Sequence, residues 1–159
     1  GTGPTAYMIV LDDLDRCLLR ALAEDATQPA SALGRRFGLS QSAAWRRVRR
    51  LERNGAIRGH RAEMDLERLG FGVTVFLGVK LAAKGRTGLQ EFERAVTAIP
   101  EVQTVQHVLG LYDFRLRVVA RDLPDFERVL RRRIMALPGI GDVEANVLLS
   151  EERRPGPLA

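Results

Sequence analysis

The chain has 159 residues, enough for one large domain or two small ones, and its 45% hydrophobic content is that of a globular protein. No apolar run approaches the roughly 20 residues of a membrane span, and no stretch orders basic, apolar and small residues as a signal peptide does, so the expected location is the cytoplasm. Charge is placed unevenly: residues 1–61 hold 11 Lys+Arg against 6 Asp+Glu, a net of +5, whereas residues 62–159 hold 14 of each, so a polyanion suits only the first part.

Residues 1–8 have little pattern. Asp12 then reads as a helix N-cap, with Asp13 and Asp15 favourably placed in the first turn against the positive end of the helix dipole. Leu14, Leu18, Ala21 and Leu22 form an apolar stripe at helical spacing, and the helix ends near Asp25. The single cysteine, Cys17, cannot form an internal disulfide and falls within this pattern, where a small buried hydrophobe is its expected role. A second helical stretch runs from Pro29 to Phe37. The link Gly38 to Gln41 follows, with Gly38 suited to the positive φ of a tight turn and Ser40 to capping the next helix.

That next helix organises the chain. Ala44, Val48 and Leu51 share one face, Ser42, Arg46, Arg49 and Arg53 the opposite one, and Arg47 and Arg50 flank the apolar stripe. Asn54-Gly55 is a stop signal. Five arginines here face one carboxylate, Glu52. A solvated basic helix is one reading. The other is a recognition helix in a helix-turn-helix, entering the major groove with its N-terminal residues at base edges, where the planar fork of arginine suits guanine edges or phosphates. On that reading the DNA-contacting residues are Gln41, Ser42, Trp45, Arg46, Arg47, Arg49, Arg50 and Arg53.

After Gly55 the period changes. Ile57 to Met64 reads as a strand or linker, with Arg58, His60 and Arg61 near phosphate. Leu66 to Leu69 reads as one helical turn closed by Gly70 and Gly72. The expected organisation is a DNA-binding domain over 9–61, a linker over 62–71, a second domain over 72–150 and a flexible tail over 151–159.

The second domain reads as strand, helix, strand, strand, helix, strand. Val73 to Leu81 is strand-like. Lys84 to Gly88 is a loop with Thr87 a candidate cap, and Leu89, Phe92, Val96 and Ile99 are spaced as a buried helix face that ends at Pro100. Val102 to Leu109 is the second strand and Gly110-Leu111 the hairpin candidate. Tyr112 to Val119 alternates, with Tyr112, Phe114, Leu116 and Val118 on one face and Asp113, Arg115 and Arg117 on the other. Asp122 caps a helix lined by Leu123, Phe126, Leu130 and Leu137, Pro138-Gly139 stops it, and Ile140 to Leu149 is the last strand. Leu89-x-x-Phe92-Glu93-Arg94 recurs as Leu123-x-x-Phe126-Glu127-Arg128, as two side-by-side βαβ halves would show. The expected fold class is therefore α+β: an N-terminal helix-turn-helix and a C-terminal βαββαβ ferredoxin-like sandwich. Helices cover one face of such a sheet. The other is expected to be apolar and bare, and a homodimer pairing two sheets is the simplest cover.

No catalytic constellation, zinc-ligand spacing or phosphate loop is present, so no catalytic residue, metal or cofactor is expected. Helix capping accounts for Asp12, Asp13 and Asp15, and His107 is expected to pack on a strand.

Taken together, Leu11-Asp12-x-x-Asp15, Gly38-Leu39-Ser40-x-Ser42-x-x-Trp45-Arg46-Arg47-Val48-Arg49-Arg50-Leu51-Glu52, Gly55-Ala56-Ile57-Arg58-Gly59 and Gly110-x-Tyr112-Asp113 resemble the Lrp/AsnC family of transcription regulators over roughly Leu11 to Leu149. The resemblance implies dimers through the C-terminal sheets, often assembled into tetramers or octamers, and an amino-acid effector bound between dimers. It carries Gly110, Tyr112 and Asp113 into the effector site, with His107, Val108 and Leu109 added by adjacency. Asp113 would receive an α-ammonium group; equally, Gly110 and Asp113 would simply build a turn. Pro29 and Gly34 depart from the family, standing where Ser and Ala are usual, and Gly34 costs a helix about 1 kcal/mol. The function expected is a sequence-specific, effector-modulated DNA-binding regulator. The alternatives are an architectural nucleoid-type DNA binder without effector and, from a related fold, an enzyme resembling the siroheme decarboxylases.

Overall fold

The computed structural model describes residues 8–82 and 85–158; the unpatterned start at 1–7, Lys84 of the expected loop and Ala159 lie outside them. The described residues divide into two compact units, 8–63 with 152–158 and 64–151.

The first unit holds α1 (Asp13–Glu24), α2 (Ala30–Phe37) and α3 (Gln41–Arg53). Asp12 starts α1 through a reciprocal capping box: its Oδ1 accepts from the Asp15 N–H at 2.7 Å, and Asp15 Oδ2 accepts from the Asp12 N–H at 3.3 Å. The α1–α2 turn is closed by Gln28, whose Nε2 donates to the carbonyls of Ala21 at 2.8 Å and Asp25 at 3.0 Å. Pro29 supplies no side-chain cap to α2. Gly38 ends α2 at φ 70°, and Ser40 Oγ accepts from the Ala43 N–H at 3.1 Å to start α3. Gly34 has a packing reason that outweighs its helix cost. A Cβ there would sit 2.5 Å from the Leu39 carbonyl oxygen, the backbone of the α2–α3 turn.

Leu18, Ala21, Leu22, Leu33, Ala44 and Leu51 form the core of this unit, with Phe37, Val48 and Ile57 partly buried against it. Each fully buried leucine contributes about 2 kcal/mol. Cys17 is only half-buried and not the buried hydrophobe expected. Residues 57–64 join no ladder, so the stretch is a linker and not a strand.

The second unit runs β1 (Val73–Leu81), α4 (Arg86–Val96), β2 (Val102–His107), β3 (Phe114–Ala120), α5 (Leu123–Val129) and β4 (Ile140–Val147), with α5 continuing into a π-helical turn at Leu130–Ile134. Strand order is β2-β3-β1-β4 and all pairings are antiparallel, the arrangement of a ferredoxin-like sandwich. Val75, Leu77 and Val79 of β1 and Phe114, Leu116 and Val118 of β3 face the helices, burying Phe92, Val96, Phe126, Val129 and Ile134.

Four expectations are corrected. The backbone of Gly85, not the Thr87 side chain, stands at the N-cap of α4. β2 stops at His107 and β3 starts at Phe114, so the hairpin connection spans 108–113 instead of a two-residue turn at Gly110-Leu111. Tyr112 therefore precedes the strand and lies on the face opposite Phe114, because the two-residue alternation holds only within a ladder. Nor is the bare sheet face simply apolar. By alternation it presents Phe76, Gly78, Arg115, Arg117, Glu144 and Asn146, and the guanidinium groups of Arg115 and Arg117 lie 4.9 and 5.4 Å from the centroid of the Phe76 ring.

Candidate nucleic-acid interface and effector region

The cap and the apolar stripe fix which way α3 faces. Burial of Ala44 and Leu51 leaves Gln41, Ser42, Trp45, Arg46, Arg49, Arg50 and Arg53 exposed, while Arg47 is half-buried. Trp45 remains 54% exposed with the Arg49 guanidinium 5.5 Å from its ring centroid, and Arg49 Nη1 lies 3.5 Å from Glu52 Oε2. Arg46 and Arg53 form no ion pair among the described residues. The exposed side thus offers guanidinium donors beside an aromatic ring, the chemistry that reads base edges and neutralises phosphates.

Arg47 and Arg50 are engaged differently. Asp15 is fully buried, and Arg50 Nη2 donates to its Oδ2 at 2.6 Å while Arg47 Nη1 donates to its Oδ1 at 3.1 Å. Arg47 Nη1 also donates to Asp12 Oδ2 at 2.7 Å. That bond, with the Asp15 N–H, holds the Asp12 carboxyl below its ordinary range, and the same bond raises Arg47. By sequence, Asp15 reads only as a first-turn acid. Its spacing from Leu11, Leu18 and Leu22, four, three and seven residues away, was the available signal that it points inward.

In the second unit, Asp113 ties the hairpin to β1. Its N–H donates to the Val79 carbonyl at 2.9 Å, its carbonyl accepts from the Val108 N–H at 3.0 Å, and its Oδ2 accepts from the Leu81 N–H at 2.8 Å. That last bond lies where the β1–β4 register shifts between Val79 and Leu81. The Tyr112 ring lies across Gly78, where a Cβ would come within 2.7 Å of it, and its hydroxyl donates to Glu144 Oε2. This bond, reinforced by burial and by the carboxylate charge, raises the Tyr112 phenol above its ordinary value and keeps it a donor.

Around this ring is a cavity of about 370 Å³, lined by Phe76, Gly78, Val108, Gly110, Tyr112, Arg115 and Glu144 among others. Of the expected effector residues, Val108, Gly110 and Tyr112 line it; His107, Leu109 and Asp113 do not. His107 stacks on Phe114, centroids 4.9 Å apart, and Leu109 is fully exposed. Phe76, Arg115 and Glu144 were not expected, since strand pairing alone brings them beside the hairpin.

Residues 11–52 match the AsnC-type helix-turn-helix domain, and residues 74–158, more than half of the chain, match the Lrp/AsnC ligand binding domain. The chain belongs to the Lrp/AsnC family. Among its relatives, the Bkd operon transcriptional regulator of Pseudomonas aeruginosa is 35% identical, over 87% of this chain and 90% of that protein. The DNA-binding transcriptional activator DecR of Escherichia coli is 31% identical over 89% and 93%. A Neisseria meningitidis transcriptional regulator solved as its L-Met complex superposes with a TM-score of 0.85 at 26% identity, over 91% and 94% of the two chains. This member of the Lrp/AsnC family is therefore a DNA-binding transcription regulator whose second domain binds a small-molecule ligand, and the relatives lend no support to a decarboxylase or to an effector-free binder. No described helix is long and apolar enough to cross a membrane.

Proposed function

We propose that this regulator acts in the cytoplasm without enzymatic activity, reads double-stranded DNA through α3, and changes its assembly or DNA binding when an amino acid occupies the cavity under the β2–β3 hairpin. The observation that carries the reading is that cavity. Its 370 Å³ falls within the roughly 300–1,000 Å³ of small-molecule sites, and it joins apolar Phe76 and Val108 to the opposite charges of Arg115 and Glu144, the pairing a zwitterion requires. The relative solved with L-Met supports an amino acid as the ligand class.

Gln41, Ser42, Trp45, Arg46, Arg49 and Arg53 form the DNA-facing set. Val108, Gly110 and Tyr112 contact the effector, with His107, Leu109 and Asp113 shaping the hairpin around it. A homodimer forms through the uncovered sheet face, and dimers associate further into tetramers or octamers. Leu109 and Leu111, at 106% and 75% exposure, are the hairpin side chains with most to gain from such contact.

The test is a thermal-shift screen against the twenty amino acids, paired with binding to DNA from the gene's own upstream region. One or a few amino acids are expected to raise the melting temperature and alter the DNA-binding curve. No thermal response to any amino acid would reject the effector class, and unchanged DNA binding by a stabilised protein would reject the coupling.

A further inference from the structure

We propose that Asp15 is the positioning residue of the recognition helix, and that Arg47 and Arg50 serve Asp15 instead of the DNA backbone. The inference rests on α3 being the DNA-reading helix.

Asp15 is the one charged residue in the buried set of the described chain, at 0% exposure. A carboxylate so placed must be paired, since an uncompensated buried charge is far costlier than an exposed one. Its partners are the two α3 arginines, at 2.6 and 3.1 Å, on either side of one helical turn. Two guanidinium groups on one fixed carboxylate set both the rotation and the axial position of α3 against the first turn of α1. Asp12 completes the clamp through Arg47 at 2.7 Å. Swinging either arginine out to a phosphate strands part of that charge. Arg46 and Arg53 have no such obligation among the described residues. The five arginines of α3 therefore divide into two that hold the helix and three that face the nucleic acid.

Counterion release separates the two groups, because each neutralised phosphate contributes about 0.9 to the slope of log K against log salt. The full-length protein is titrated with a mixed-sequence duplex over a range of salt, and its sequence preference is read by selection from a randomised duplex library. Arg53→Gln is expected to lower the slope by about 0.9 per head. Arg47→Gln and Arg50→Gln are expected to leave the slope unchanged while the selected sequences lose definition, since the helix is no longer held in register. Asp15→Asn is expected to steepen the slope by up to about 1.8 per head as two arginines are released. Arg50→Gln leaves Asp15 bonded to Arg47 and to the Asp12 N–H, so this variant decides the matter even where Asp15→Asn does not fold. A slope reduced by Arg47→Gln or Arg50→Gln as much as by Arg53→Gln would overturn the proposal. So would sequence selection identical to that of the unsubstituted protein. An unchanged slope for Arg46→Gln, Arg49→Gln and Arg53→Gln alike would instead reject α3 as the DNA-reading helix.

Discussion

Tyr112 lies flat across Gly78, and each residue determines what the other can be. Gly78 pairs with Arg115 on one side and Glu144 on the other, so the ring reaches the Glu144 carboxylate only because position 78 has no side chain. A Cβ at Gly78 would press on the ring at 2.7 to 3.0 Å, and the ring must leave. Gly78→Ala is therefore expected to break the Tyr112–Glu144 bond. Spectrophotometric titration should show the Tyr112 phenol falling back towards about 10. Amino-acid affinity should weaken by about tenfold, the loss of one polar contact. A phenol that titrates as before would show that the ring stayed in place.

The start of α3 depends on one side chain. Ser40 Oγ accepts the Ala43 N–H at 3.1 Å, and no acidic residue supports that first turn. Ser40→Ala is expected to cost about 1 kcal/mol, measured by chemical denaturation monitored through the single tryptophan, Trp45. Ser40→Asp should preserve the cap, yet it sets a carboxylate facing phosphate and should weaken DNA binding.

Acid should loosen the clamp on the recognition helix. The Asp12 carboxyl is depressed by its bond from Arg47 and then by the Asp15 N–H. A depressed folded value means that the stabilisation is fully present above the unfolded value near 3.9 and is lost as pH falls through the lower folded value. The melting temperature of the helical unit is thus expected to drop below about pH 4, and Asp12→Asn should flatten that drop. A pH profile unaffected by Asp12→Asn would show that other carboxylates govern it. Asp125, depressed by the Arg121 N–H and by the Arg121 and Arg128 side chains, acts with the same sign in the second unit.

Truncation at Leu51 tests the core behind the recognition helix. Leu51 is fully buried among Leu18, Leu22 and Leu33. Leu51→Ala is expected to cost about 2–5 kcal/mol, enough to unfold a unit this small at moderate temperature. Hydrogen exchange should show the loss confined to α1–α3, with β1–β4 still protected.

Much of this was legible in the residues. Asp12, Ser40 and Asn54-Gly55 mark helix ends because caps are local chemistry, and each stands where expected. Val73–Leu81 matches its strand because an apolar run ended by turn residues admits little else. Less legible were features that depend on what another segment brings near. Tyr112 follows an alternating pattern in sequence, but the ladder begins two residues later, and with it the alternation. Thr87 is a good cap residue standing inside the first turn.

The family, the order of elements, the inward face of α3 and the excess of arginine on that helix can all be read from the residues alone. These follow from period, capping and composition, which act over a few residues. How those arginines are employed depends instead on the packing of α3 against α1. Asp15 stands 32 and 35 residues from Arg47 and Arg50, and nothing local announces that they meet. Phe76, Arg115 and Glu144 likewise share a cavity only because β3 and β4 both pair with β1. Strand register and helix packing set such neighbours through burial of the two cores, which no short stretch of residues specifies alone.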